Sequence, residues 1–265
     1  MNAFNSDGFT VVSHAISNAS SATYVAWNWL AGTAFSNSSG SNGANVDSSG
    51  QVNTTAGFSI VSWQFTSSAD NLIFHGLSSA PEMMILKSRT TAYNWDVYHT
   101  GLSATSKRLI LNSSGAEVAG FFDTAPTSTV FEYKSNALSN NDNAIAYCFH
   151  SVEGYSKVGS YTGNGNADGP FIYTGFRPAW IMTKRLDGTS WWGISDDVRS
   201  THNQVANTLA ANESYSESTL TSDLKLDFLS NGFKIRDTDG YYNASGGTYI
   251  YLAFAEQPFK FSNAR

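Results

Sequence analysis

Gly57-Phe58-Ser59-Ile60-Val61-Ser62 returns as Gly154-Tyr155-Ser156-Lys157-Val158-Gly159, at an offset of 97 residues. The offset persists downstream. Ala80-Pro81-Glu82-Met83-Met84-Ile85-Leu86-Lys87 matches Arg177-Pro178-Ala179-Trp180-Ile181-Met182-Thr183-Lys184, so Pro81 and Pro178, like Lys87 and Lys184, again stand 97 apart. Farther on, Trp95 corresponds to Trp191 or Trp192, Leu109-Ile110-Leu111-Asn112 to Leu209-Ala210-Ala211-Asn212, and Val130-Phe131-Glu132-Tyr133 to Gly232-Phe233-Lys234-Ile235. Each unit closes on a small-aromatic stretch, Ile145-Ala146-Tyr147-Cys148-Phe149 and then Tyr251-Leu252-Ala253-Phe254-Ala255. A fixed period of this kind marks one supersecondary unit used more than once. A third copy of the ending stands first in the chain, as Asp7 to Val12 and Tyr24 to Trp29.

The repeating stretches are short, rich in β-branched and aromatic residues, and often alternate in polarity, which predicts strands. Between them stand turn formers such as Gly163-Asn164-Gly165 and Asp237-Thr238-Asp239-Gly240. Only 201–211, and more weakly 104–108, read as a helical turn or two. No βαβ alternation occurs, so the expected fold is all-β, an antiparallel, jelly-roll-like β-sandwich of two internal repeats plus an N-terminal half-repeat. The expected organisation is a half-repeat arm at 1–32, a Gly/Ser/Asn-rich linker or loop at 33–56, one β repeat at 57–153 and a second at 154–265. One pseudo-symmetric sandwich and two separate domains are both compatible with that division.

Of the 265 residues, 41% are hydrophobic and only 14% charged, which is ample material for a core and too little charge for disorder. A formal charge of −6 supplies no basic field for phosphates, so nucleic acid is not an expected partner. The first residues show neither the basic region nor the apolar stretch of a secretory signal, and membrane insertion is not expected. Cys148, the one cysteine, sits between Tyr147 and Phe149 and reads as a buried small hydrophobe.

The residues also resemble a known family. Ala26-Trp27-Asn28-Trp29-Leu30-Ala31-Gly32, leading through a Ser/Asn stretch to Thr55-Ala56-Gly57-Phe58-Ser59, then His75-Gly76-Leu77 and Ala80-Pro81-Glu82, resembles a module of virion proteins of marine and cyanobacterial tailed bacteriophages. Tyr173-Thr174-Gly175-Phe176, Asp227-Phe228-Leu229-Ser230-Asn231-Gly232 and Ala253-Phe254-Ala255-Glu256-Gln257-Pro258-Phe259-Lys260 extend the likeness over essentially the whole chain. It implies a structural role at the virion surface, on tail or capsid, as a tail-fibre or adhesion and assembly module. The implied partners are other virion proteins, further copies of the chain in a homo-oligomer (a trimer favoured), and a host surface glycan. Little precedes the module here, which brings in a capsid decoration protein as the alternative to a tail fibre.

No catalytic pattern stands out. The five histidines are scattered without zinc-ligand spacing, and there is no Gly-x-Ser-x-Gly elbow. Glu82, Asp96, Glu132, Asp196, Asp197 and Asp223 are the acids a fibre-associated glycan hydrolase would draw on. The reading is therefore non-enzymatic, with no cofactor. Asp237 and Asp239 echo the start of a calcium loop but lack its closing Glu, so a tight turn is expected. Candidate binding or assembly residues are aromatic. The two-residue period of a strand puts Val25, Trp27 and Trp29 on one face, whereas the adjacent Trp191 and Trp192 point to opposite faces, so that either one of them is an exposed contact or the pair is buried on two sides.

Overall fold

A computed structural model of the chain describes residues 3–5, 8–14, 16–217 and 225–257. Asp7, Asp223 and Pro258 to Lys260 lie outside the described residues. Strand takes up 40% of the chain and helix 2%, and every ladder between named strands is antiparallel, so the fold is all-β. The chain divides into two compact units, residues 1–30 and 31–265.

In the first unit β1 (Ala3–Asn5) pairs with β2 (Gly8–Thr10). Tyr24 to Trp29, expected as a strand, joins no ladder. Its exposure nonetheless alternates: Val25, Trp27 and Trp29 are half-buried, and Tyr24, Ala26, Asn28 and Leu30 are exposed.

The second unit begins with β3 (Thr33–Asn37), β4 (Ser48–Asn53), β5 (Phe58–Gln64), β6 (Asn71–Phe74) and β7 (Met83–Ser88). It continues through β8 (Asp96–His99), β9 (Lys107–Ile110), β10 (Val118–Ala119), β11 (Val130–Tyr133) and β12 (Asn143–Phe149). One large sheet has the order β10-β9-β8-β7-β12-β5-β4-β3, and β11 and β6 form a second, small one. Val61 and Trp63 of β5, Met84 and Leu86 of β7, and Ala144, Ala146 and Cys148 of β12 point to one side, where they meet Ile73, Phe131 and Tyr133 of the small sheet. This is a sandwich core, and each strand reaches it with every second residue.

The later strands are β13 (Ser156–Thr162), β14 (Phe171–Tyr173), β15 (Pro178–Arg185), β16 (Gly193–Asp196) and β17 (Thr208–Ala210). They are followed by β18 (Leu226–Leu229), β19 (Gly232–Ile235), the one-turn helix α1 (Gly240–Asn243) and β20 (Thr248–Ala255). Their sheets are β13-β20-β15-β16-β17 and β14-β19-β18, with Tyr161, Ile181, Tyr249, Tyr251, Phe228 and Phe233 among the core between them.

The pairing order recurs along the chain. β5-β12-β7-β8-β9 is matched position for position by β13-β20-β15-β16-β17, and β6-β11 by β14-β19. Turns recur with it. Gly57 and Gly154 have φ of 64° and 71°, and Gly76 and Gly175 have 76° and 88°, the left-handed region that costs a glycine nothing. Pro81 lies just ahead of β7 and Pro178 opens β15, where a missing N–H disturbs no ladder.

The two large sheets meet face to face. The Phe149 and Phe254 rings lie 6.3 Å apart, and the Trp192 indole Nε1–H donates to the Ile110 carbonyl at 3.0 Å. Lys184, fully buried at this junction, donates to the carbonyls of Arg185 at 2.9 Å and Ser114 at 3.3 Å.

Three further expectations are corrected. Residues 33–56 are not a linker: β3 and β4 form a hairpin that extends the large sheet beyond β5. Phe35 meets the Phe74 ring edge-on at 5.6 Å and Val46 is buried, while the glycines and asparagines serve the turn at Gly40, Asn42 and Gly43, all at positive φ. Residues 201–211 hold no helix, because their backbone is claimed by other strands. Val205 bridges Leu226, and β17 pairs with β16. Likewise 104–108 is a turn leading into β9.

Candidate functional site

The junction covers only part of the large sheet. Over β3, β4, β5 and β12 its outer face stays open and carries two adjoining shallow grooves, of about 430 Å³ and 560 Å³, that share Ser49, Ser62 and Arg89. Strand register explains the hollow. Ser36 pairs with Ser49, Ser49 with Ser62, and Ser62 with Ile145, which places three small hydroxyl side chains in a row across the strands. Taller residues flank the row. Gln64 pairs with Asn143 on one side, and Gln51 with Ile60 on the other. A line of short side chains between longer ones is a trough on a pleated surface.

The trough is polar and largely satisfied at its ends. Ser62 Oγ donates to the Ser49 carbonyl at 3.1 Å, Asn42 Nδ2 to Asn37 Oδ1 at 2.7 Å, and Asp47 Oδ1 accepts the Ser39 N–H at 2.7 Å. Arg89 is different. Its backbone N–H bonds Asn143, but its exposed guanidinium has no carboxylate partner, whereas Arg108, Arg177, Arg185, Arg199 and Arg236 all have one. It is the one arginine among the described residues left without such a partner.

The sequence candidates fall elsewhere. Trp191 and Trp192 stand just ahead of β16 and do point apart. Trp192 is fully buried against the first sandwich, and Trp191 is half-buried, stacked on Tyr241 at 4.4 Å and 5° with Tyr215 edge-on at 6.2 Å. This aromatic stack is a second candidate contact surface. Val25, Trp27 and Trp29 belong to the first unit and share one half-buried face there.

The carboxylates are tied into the fold. Asp96 accepts Tyr133 Oη–H at 2.6 Å and pairs with Arg108, and its burial pushes its pKa up. Glu132 accepts the Asp123 N–H and Thr124 hydroxyl, Glu82 the Ser151 N–H, and Asp196 pairs with Arg199 at 2.7 Å. Asp197 and Glu256 share Arg177, and desolvation raises Asp197. Asp237 Oδ1 accepts the Asp239 N–H, and Asp239 caps α1 by accepting from Tyr241, so both serve a turn. Among the described residues no three His, Cys, Asp or Glu side chains are grouped to hold a metal ion. No helix among them is long and apolar enough to cross a membrane.

Sequence reading missed the trough because it took 33–56 as a linker. The usable signal was a serine at one outward position of each strand, Ser49 in Ser48-Ser49-Gly50 and Ser62 in Val61-Ser62-Trp63.

These features define an all-β protein of paired, stacked sheets with open polar and aromatic surfaces. The chain belongs to a family described as a domain of unknown function, DUF7483, whose profile matches residues 1–258. No curated protein and no solved structure matches it.

Proposed function

We propose that the chain is a non-enzymatic structural protein of a tailed-phage virion, a tail-fibre-like or surface adhesion and assembly module that works by binding. The observation that carries this reading is the open face of the large sheet: a rigid double sandwich presents a polar trough, while the described carboxylates are engaged in holding loops and strands. Rigid sheets suit a surface that positions contacts.

The arm at 1–32 is the assembly element in this reading, and it joins copies of the chain into a homo-oligomer, a trimer. Phe4 and Ile16 are each about 80% exposed there and offer apolar surface to a partner. Deleting residues 1–30 leaves both sandwich cores intact, since all their residues lie beyond it. Light scattering then reads the outcome. The reading expects a folded protein of lower oligomeric mass, and an unchanged mass removes the arm from assembly. Release of reducing ends from host polysaccharide would replace the binding reading with a fibre-associated glycan hydrolase. Placement on the head lattice would replace the tail with a capsid decoration role.

A further inference from the structure

We propose that the serine trough binds an acidic glycan, a hydroxyl-rich chain carrying carboxylate groups. The inference deepens the adhesion reading and rests on it. Three observations converge. The floor is a row of hydroxyls, Ser36, Ser49 and Ser62, held in register on three neighbouring strands. With strands about 4.8 Å apart, the row spans about 10 Å across the sheet. Ser62 Oγ keeps acceptor capacity after donating to the Ser49 carbonyl, and the hydroxyls of Ser36 and Ser49 can each donate and accept, so sugar hydroxyls find partners along the row.

The rim adds side-chain amides, Gln64 and Asn143, whose paired donor and acceptor groups suit vicinal hydroxyls. Asp47 lines only one of the grooves and accepts the Ser39 N–H, while Arg89 lines both and supplies the positive charge. Its planar fork matches a carboxylate bidentately, and no protein carboxylate occupies it among the described residues. In a chain of net charge −6 whose other described arginines are all paired, an unpaired guanidinium over a hydroxyl-lined trough selects a negatively charged, hydroxylated ligand. A peptide strand would add at a sheet edge, whereas this trough lies on a face.

The full chain is titrated by calorimetry with oligogalacturonate, with its methyl ester, and with oligoguluronate. Binding of an acidic oligosaccharide is expected, at least ~10-fold weaker for the ester and for Arg89→Ala, as the loss of one charge-assisted bidentate contact implies. Ser49→Trp, at an exposed strand position, fills the trough and should abolish binding, with circular dichroism confirming the fold of each variant. Raising salt should weaken the interaction. The proposal is overturned if neither acidic chain binds, if the ester binds equally, or if both variants bind as the parent does. Failure here with the chain located on the virion surface overturns the trough alone and leaves the structural reading standing.

Discussion

The backbone N–H of Trp192 donates to Asn212 Oδ1 at 2.8 Å, and the same bond recurs where Trp95 donates to Asn112 Oδ1 at 2.9 Å. The return bonds recur too, from Ala211 N–H to the Trp192 carbonyl and from Leu111 N–H to the Trp95 carbonyl. Each asparagine fixes the entry of a tryptophan-led strand, β16 or β8. Because Trp192 is fully buried, Asn212→Ala strands its N–H and should cost about 1–3 kcal/mol. Asn212→Asp keeps the acceptor and should cost less, and Asn112→Ala less again, since Trp95 is half-buried. Chemical denaturation of the three variants checks the order; equal losses would deny the asparagines this role.

That relationship also settles an ambiguity of the sequence, where Trp95 matched Trp191 or Trp192 equally well. Repeating stretches were legible because the same turns and core positions demand the same residues at Gly57 and Gly154, or Asn112 and Asn212. Strand periodicity set Trp191 and Trp192 on opposite sides without saying which turns inward; the burial of Trp192 and the stacking of Trp191 on Tyr241 come from tertiary packing. What could not be read was tertiary context. Residues 33–56 have loop composition, and only the exposed edge of β5 turns them into strands. The trough was hidden for the same reason, since its floor depends on the register of three strands, two of which were not expected.

Acid should weaken the fold through two histidines. His75 Nδ1 accepts the Leu77 N–H at 3.1 Å and His99 Nδ1 accepts the Gly101 N–H at 2.8 Å, so both rings are neutral with the proton on Nε2. His99 Nε2 then donates to the Tyr251 carbonyl at 3.4 Å, which ties the two sandwiches together. Burial pushes both pKa values down to about 4 from the usual 6.5. Between pH 6.5 and 4 the unfolded chain takes up protons that the folded one refuses, so stability falls as pH falls, by roughly 3 kcal/mol per ring over the window. Urea midpoints measured between pH 7 and pH 4 test this, and a flat profile would contradict it.

Lys184 acts at the other end of the scale. Burial lowers its pKa to about 8, with two carbonyls and, among the described residues, no carboxylate for partners. From pH 8 to about 9.5, before tyrosines ionise, the unfolded chain holds a Lys184 proton the folded one has lost, so this residue's contribution to stability rises with pH, against the opposite contribution of the buried Cys148 thiol. Lys184→Met should remove that slope and stabilise the protein at pH 7 by about 1–3 kcal/mol. Ser114 keeps a donor in the variant, because its carbonyl also accepts the Ser190 N–H. Destabilisation at pH 7 would show that the two hydrogen bonds outweigh the desolvation.

Cys148 should be inert in the folded protein. It is fully buried, and desolvation pushes its thiol up to about 12, so the reactive thiolate is absent near neutrality. Iodoacetamide at pH 8 should label it only at the rate of unfolding, as followed by intact mass. Prompt stoichiometric labelling would mean that the first sandwich opens readily.

Under the proposed function the chain is a structural component on the outside of a virion. The most direct test is a map of intact particles of any tailed phage found to encode the chain, at a resolution that traces these stacked sheets. The account predicts the double sandwich on the tail or head exterior, in symmetric copies, with the Ser36–Ser49–Ser62 face turned to solvent. Purified particles lacking the chain would contradict it, as would the same face buried against the particle.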